Sequence, residues 1–331
     1  MQHTPIPFPA LCPHPEQRID DCVRFDPHQH LALELPATTW TLAELGYSDE
    51  EIAASPTPFA VSSPARLLSE AGVSALQAVA RHLRKFTVSC ERVQNMVRGG
   101  VYQSEFLREL CLSKEVSEFM SDVYGVAVAP HSMPSQLGHL NFAPDDLSQS
   151  VDLWHHDTLE LDYVLQLSDL SQLAGGEFQY FMGTKLEAAS LANKGHAIPK
   201  ERIVSPVFPD AGYFIALQGS MVVHKAARLT QPGERITMVN GYVPLDINAA
   251  DRSRFKDLQS VDPEHILYTE WSRHKAWLSK GKLQQLLEQL PFTSNKAVLV
   301  SALRDAIADV ETAIEDLESD HNPGMVHYEP R

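Results

Sequence analysis

The chain of 331 residues carries 27 Lys and Arg against 43 Asp and Glu, a formal net charge of −16. A field of that sign repels phosphate backbones and argues against nucleic acid as a main partner. With 44% hydrophobic residues and no apolar run near the roughly 18 residues that span a bilayer, it reads as one globular core with no membrane segment. Cys12, Cys22, Cys90 and Cys111 are widely spaced and form no C-x-x-C pair, so reduced thiols are expected. The stretch Met1 to Pro9 has neither a basic start nor an apolar h-region, and the expected compartment is the cytoplasm.

Taken in order, the first forty residues are rich in Pro and His, as in Cys12-Pro13-His14-Pro15 and Pro27-His28-Gln29-His30, and read as a flexible arm without chemistry. Thr41-Leu42-Ala43-Glu44 has the capping-box pattern that starts a helix. Further on, Leu76, Val79, Ala80 and Leu83 recur at i, i+3, i+4 and i+7. That spacing buries one helical face and leaves Arg81, Arg84 and Lys85 in water. Another helical stretch is expected from Gln103 to Tyr124, so residues 1–125 read as an arm plus helical support.

From about Val126 the texture changes to short β-rich segments separated by Gly, Pro and Asp. Strands are expected at 136–142, 151–156, 161–167, 177–181, 212–217, 220–223 and 235–243, which suggests a sandwich or barrel over residues 126–246. Residues 184–206 interrupt it with a helix and loop, either a lid or a surface excursion. Residues 247–331 return to helical spacing. Leu283, Leu286, Leu287 and Leu290 form one apolar stripe, and Leu299, Leu303, Ala306, Val310, Ile314 and Leu317 form a second with an acidic outer face. A helical hairpin is expected there, packed on the body of the chain or on a second subunit in a homodimer. The fold class that results is a mainly β core with N-terminal and C-terminal helical flanks.

The chemistry concentrates in Val151-Asp152-Leu153-Trp154-His155-His156-Asp157-Thr158. In a strand, residues i and i+2 share a face, so His155 and Asp157 reach one ion while His156 turns away. Two histidines and a carboxylate on one side of an ion, with the other positions open, form the facial triad of non-haem Fe(II) oxygenases. His224, expected to end the apolar strand Ser220-Met221-Val222-Val223, is the candidate third ligand. Arg235 and Thr237 share a face by the same rule, and a guanidinium beside a hydroxyl suits the distal carboxylate of a dicarboxylate. Lys225, Arg228 and Tyr163 are further candidates to meet an anionic substrate.

In this order the residues resemble the Fe(II)/2-oxoglutarate-dependent dioxygenase superfamily, whose pattern is H-x-D, a distal His, and an Arg beyond it, often as R-x-S or R-x-T. Asn141-Phe142-Ala143-Pro144 resembles the N-Y-Y-P segment of some members, with Ala143 where the family tyrosine touches the cosubstrate. Ala174-Gly175-Gly176-Glu177-Phe178 is similar to the G-G-E-L strand of prolyl-hydroxylase-like members. The resemblance covers residues 130 to 246. It implies a double-stranded β-helix, or jelly roll, with Fe(II) held by His155, Asp157 and His224. 2-Oxoglutarate would be the cosubstrate, anchored by Arg235 with Thr237 and Asn141 assisting. It further implies O2 and a small-molecule substrate, with succinate and CO2 released. Halogenating members replace the carboxylate ligand by a small residue; Asp157 fills that place, so hydroxylation is favoured, with desaturation or ring formation on the same ligands still open. A peptide or protein hydroxylase is the second reading. A metal-binding jelly roll acting as an isomerase or sensor would keep the histidines but need no Arg235-Ile236-Thr237.

Overall fold

The computed structural model describes residues 1–322 and 324–330. Its strands are β1 (Thr39–Thr41), β2 (Phe59–Ser62), β3 (Ala65–Arg66), β4 (Asn95–Val97), β5 (Val128–Pro130), β6 (His139–Phe142), β7 (Asp152–His155), β8 (Leu161–Gln166), β9 (Phe178–Phe181), β10 (Ile203–Val204), β11 (Tyr213–Leu217), β12 (His224–Ala226) and β13 (Ile236–Pro244). Its helices are α1 (Pro27–His30), α2 (Asp49–Ala53), α3 (Glu70–Leu83), α4 (Glu105–Cys111), α5 (Lys114–Tyr124), α6 (Lys185–Asn193), α7 (Phe255–Gln259), α8 (Glu264–Gln289) and α9 (Lys296–Glu318).

The strands form two antiparallel sheets. A nine-stranded sheet runs β1-β2-β11-β8-β13-β6-β4, with β3 beside β11 and β5 beside β13, and a four-stranded sheet runs β10-β9-β12-β7. Strand alternation separates the two faces of the large sheet. Leu161, Tyr163, Leu165, Phe214, Ala216, Ile236, Met238, Leu140 and Phe142 pack into one core with Leu76, Val79 and Leu83 of α3, Phe106 and Leu110 of α4, and Val116 and Met120 of α5. The intervening residues Val164, Ile215 and Leu217 pack instead with Phe178 and Tyr180 of the small sheet. Helices, large sheet and small sheet are thus three layers, and each fully buried Leu or Phe between them contributes about 1.5–3 kcal/mol. Polar residues on the inter-sheet face, such as Asn141 and Thr237, paired in register, are therefore out of place in a core unless they serve a site.

Several expectations are corrected. The first forty residues are tied down along the body: His3 is buried, donates its backbone N–H to Leu245 O at 2.7 Å and stacks on Trp277 with centroids 4.6 Å apart. Asp21 accepts from Ser104 Oγ at 2.8 Å and from the Phe106 N–H at 2.9 Å, at the start of α4. Thr41 and Glu44 do form their reciprocal bonds, at 2.7 and 3.3 Å, yet no helix follows. Gly46 at φ +94° ends the turn, and α2 starts at a second capping box, Ser48 with Glu51. The stretch 103–124 is two helices, because Ser113 makes a new N-cap to the Val116 N–H. Residues 1–125 are more than support, since β1 to β4 extend the large sheet.

Residues 220–223 are not a strand. The N–H groups of Met221 and Val222 both turn back onto Gln218 O, at 2.9 and 3.0 Å, so His224 opens β12 rather than ending a strand. In the insertion 184–206, Ala188, Ala192 and Ile198 pack on Trp154, Phe181 and Val223. Its apolar face is spent on the small sheet, and no residue of 184–206 lines the pocket described below. The lid reading is therefore set aside.

Candidate metal centre

β12 pairs antiparallel with β7 in a register that sets His224 opposite His155. Just past β7 the chain turns, and the Asp157 N–H donates to Gly219 O at 2.8 Å. One donor atom from each of His155, Asp157 and His224 then lies within 4.8 Å of the other two. Asp157 Oδ1 is 3.3 Å from His155 Nε2, and its Oδ2 is 3.3 Å from His224 Nε2.

The other ring nitrogens decide what those contacts are. His155 Nδ1 lies 2.6 Å from Leu153 O and His224 Nδ1 lies 3.0 Å from Val222 O. A carbonyl only accepts, so each Nδ1 carries the proton, and in a neutral ring each Nε2 is a bare lone pair. Burial pushes the His224 pKa down to about 4, so the ring is neutral at pH 7. Burial alone would raise the Asp157 pKa, but His224 and His155 outweigh it and hold the carboxyl well below the usual range. The His224 lone pair thus faces a carboxylate with no proton between them, and His155 turns its Nε2 to the other oxygen of the same carboxylate, an arrangement of donor atoms that suits a divalent cation. The carbonyls that fix both tautomers are the supports that metal-binding histidines require.

Residues from distant parts of the chain brace this cluster. Asp152 takes an ion pair from Arg92 Nε at 2.9 Å, and its Oδ1 lies 3.4 Å from His155 Nδ1. His156 points away, as its position next to His155 requires. Its Nε2 accepts from Arg254 Nη1 at 2.8 Å, and its Nδ1 lies 2.6 Å from the Tyr328 hydroxyl. Burial, followed by the Arg254 charge, lowers its pKa to about 2, so the neutral ring donates from Nδ1. Arg254 also donates to the backbone oxygen of Asp157 at 3.1 Å. The C-terminal tail runs beside β7, an edge strand of the small sheet: the Tyr328 N–H donates to Trp154 O at 2.7 Å, and the Trp154 N–H to Glu329 Oε1 at 3.2 Å.

The cluster opens into a pocket between the sheets, and Asn141, Arg235 and Thr237 line the same pocket. Arg235 is 3% exposed. Its Nε donates to Gly176 O at 2.7 Å, and its Nη1 lies 3.4 Å from Thr237 Oγ1. Burial lowers its pKa to about 10, which leaves it cationic at neutral pH. No carboxylate pairs with it among the described residues, and a buried guanidinium with only a carbonyl and a hydroxyl for company calls for an anion. Among the described residues, Asn141 Oδ1 and His139 Nε2 in the same pocket are buried without hydrogen-bond partners.

Lys225 lines the pocket with its ammonium 4.9 Å from the Trp154 ring centroid. Arg228 does not line it, and Tyr163 faces the helical layer. Sequence reasoning missed His139, although it stands two residues before Asn141 on one strand face. It also missed Arg92, Arg98, Asp257, Leu258, Val261 and Met325, which line the pocket from the segments flanking β4 and from the C-terminal extension. Nothing local in those segments pointed to the site.

No family model matches the chain, and no curated protein matches it. Among solved structures, it is similar to the non-heme alpha ketoglutarate dependent epimerase SnoN from nogalamycin biosynthesis, at 15% identity over 61% of this chain and 83% of that one, with a TM-score of 0.42. AviO1 from Streptomyces viridochromogenes Tue57 gives 16% identity over 65% and 98%, with a TM-score of 0.44. HygX from Streptomyces hygroscopicus with nickel and 2-oxoglutarate bound gives 14% over 62% and 90%, with a TM-score of 0.40.

Proposed function

We propose that this chain is an Fe(II)- and 2-oxoglutarate-dependent oxygenase that oxidises a small molecule. The observation that carries the reading is the pairing, in one inter-sheet pocket, of a two-histidine, one-carboxylate cluster with the unpaired cation of Arg235. On this reading the two facing antiparallel sheets form a double-stranded β-helix, to which residues 1–125 and 247–331 are additions within one structural unit.

The residues take distinct roles. His155 Nε2, His224 Nε2 and the Asp157 carboxylate hold the metal. Arg235 binds the distal carboxylate of 2-oxoglutarate through its free guanidinium edge, Thr237 shares that anchor, and Asn141 offers an amide to the same ligand. When bound, iron and 2-oxoglutarate supply the oxidising power: O2 is reduced, one oxygen atom leaves in succinate with release of CO2, and the substrate loses two electrons. Asp157 occupies the position a halide ligand would need, which favours hydroxylation over halogenation. The buried surroundings of Arg235 exclude water from the anchor and strengthen its charge-assisted hydrogen bonds.

Anaerobic purification, addition of Fe(II), 2-oxoglutarate and O2, and measurement of succinate with and without candidate small molecules test the proposal. Succinate is expected from wild type, with His224→Ala abolishing it. Wild-type levels of substrate-coupled succinate from His224→Ala would overturn the metal assignment. Tight metal binding with no effect of 2-oxoglutarate on O2 uptake would favour a metal-binding isomerase or sensor.

A further inference from the structure

α8 and α9 form an antiparallel hairpin, held by Lys282 Nζ to Asp309 Oδ2 at 2.6 Å and by the burial of Ala306 and Ala313. The strongest apolar spacing of α9 does not face α8. Val300, Leu303, Ile307, Val310, Ile314 and Leu317 recur at alternating steps of three and four, the a/d seam of a coiled coil. Five of the six are 39–51% exposed, while Val310 is half-buried. Leu283, Leu287 and Leu290 of the hairpin's other arm are 39–79% exposed. A two-helix face with eight large apolar side chains, each about two-fifths or more exposed, exceeds the scattered apolar residues usual on a monomer.

We infer that this face is a homodimer interface in which α9 packs antiparallel against α9 of a second copy, closing a four-helix bundle with both α8 arms. The seam reads the same in both directions: about a two-fold axis between Ile307 and Val310, Val300 meets Leu317, Leu303 meets Ile314, and Ile307 meets Val310. Such self-complementarity is what an isologous contact demands. Charge selects the direction. Lys296 and Arg304 lie in the first half of α9, and Glu311, Glu315, Asp316 and Glu318 in the second. A parallel pair would bring the acidic halves together, at a net charge of −16 per copy. The antiparallel pair sets Arg304 against Glu311 of the other copy on each side of the two-fold axis, near the middle of the seam, on the flank turned away from α8. Eight such side chains supply much of the roughly 800 Å² per partner that a stable dimer buries.

Sedimentation velocity on the full chain across a concentration series tests this. A dimer is expected for wild type, and a monomer with unchanged circular dichroism for Ile307→Glu or Leu303→Gln, whose thermal midpoint no longer rises with protein concentration. These side chains are exposed in the single chain, so the monomer keeps its fold. Arg304→Glu should weaken the dimer about tenfold, since symmetry changes two exposed pairs at once. Arg304→Glu combined with Glu311→Arg should restore it. A wild-type chain that stays monomeric at 100 µM, or a dimer indifferent to both seam variants, overturns the interface. A charge swap that fails to restore the dimer overturns the antiparallel arrangement.

Discussion

The carbonyl oxygen of Gly176 accepts a 2.7 Å hydrogen bond from Arg235 Nε, and it is presented by a backbone at φ +78° that L side chains rarely adopt. A Cβ at Gly176 would also sit 2.9 Å from Arg235 Cδ. The Gly175-Gly176 pair before β9 is thus the mount that aims the guanidinium while leaving its outer edge free.

Arg235→Ala is expected to raise the KM for 2-oxoglutarate about 10- to 100-fold, the loss of one or two charge-assisted hydrogen bonds of roughly 1.5–3 kcal/mol. Gly176→Ala should move the same parameter in the same direction by re-aiming Arg235. Steady-state succinate assays over a 2-oxoglutarate series measure both, and an unchanged KM in Arg235→Ala would mean that another group anchors the cosubstrate.

Gly219 is the second glycine set by a close approach. A Cβ there would meet the Asp157 carboxylate at 2.9 Å and would collide with the buried Asp162 carboxyl. Gly219→Ala must displace Asp157, so metal affinity is expected to fall about 10- to 100-fold, the range seen when a supporting residue of a metal site is changed. Titration calorimetry with Co(II) checks this, and wild-type affinity would show that Asp157 adjusts without cost.

The tail contact from Tyr328 to His156 makes its own prediction. Tyr328→Phe leaves the buried Nδ1–H of His156 without its acceptor, at a cost of about 1–3 kcal/mol. Urea denaturation should show a lower midpoint with an unchanged slope. Because His156 and Arg254 also hold the Asp157 backbone, metal affinity should weaken in the same variant. A stability equal to wild type would mean that water replaces the hydroxyl.

Glu160 gives a pH dependence. Burial, opposed by Arg252, pushes its pKa up from the ordinary 4.5 to about 7. A folded pKa above the unfolded one means that the protonated form contributes its full stability below about pH 4.5, and that this contribution is lost as pH rises through about 7. Relative to Glu160→Gln, whose side chain does not titrate, wild type should lose on the order of 3 kcal/mol between pH 4.5 and 8. Paired urea titrations at pH 5 and 8 measure it; parallel pH profiles would show that Arg252 keeps Glu160 ionised throughout.

What the sequence determined by itself was local presentation. The i, i+2 spacing marked His155 with Asp157 and Arg235 with Thr237, and set His156 apart, because extended backbone puts alternate residues on one face; the structure ends β7 at His155 and starts β13 at Ile236, so the backbone bond of Asp157 to Gly219 O completes the aim of that carboxylate. The helical face of Leu76, Val79, Ala80 and Leu83 was legible for the same reason. Only the tertiary structure decided where local signals compete or partners are far away. The Thr41–Glu44 box formed without a helix because Gly46 turned the chain. Ser220 to Val223 became a turn because the N–H groups of Met221 and Val222 found Gln218 O, and α6 became an outer brace because its alanines found Trp154 and Phe181. Arg92, Arg254, Met325 and Tyr328 joined the site from segments with no local mark, since what recruits them is burial against His155, His156 and the pocket wall. Spacing along the chain sets what a segment can offer; contacts across hundreds of residues set what it meets.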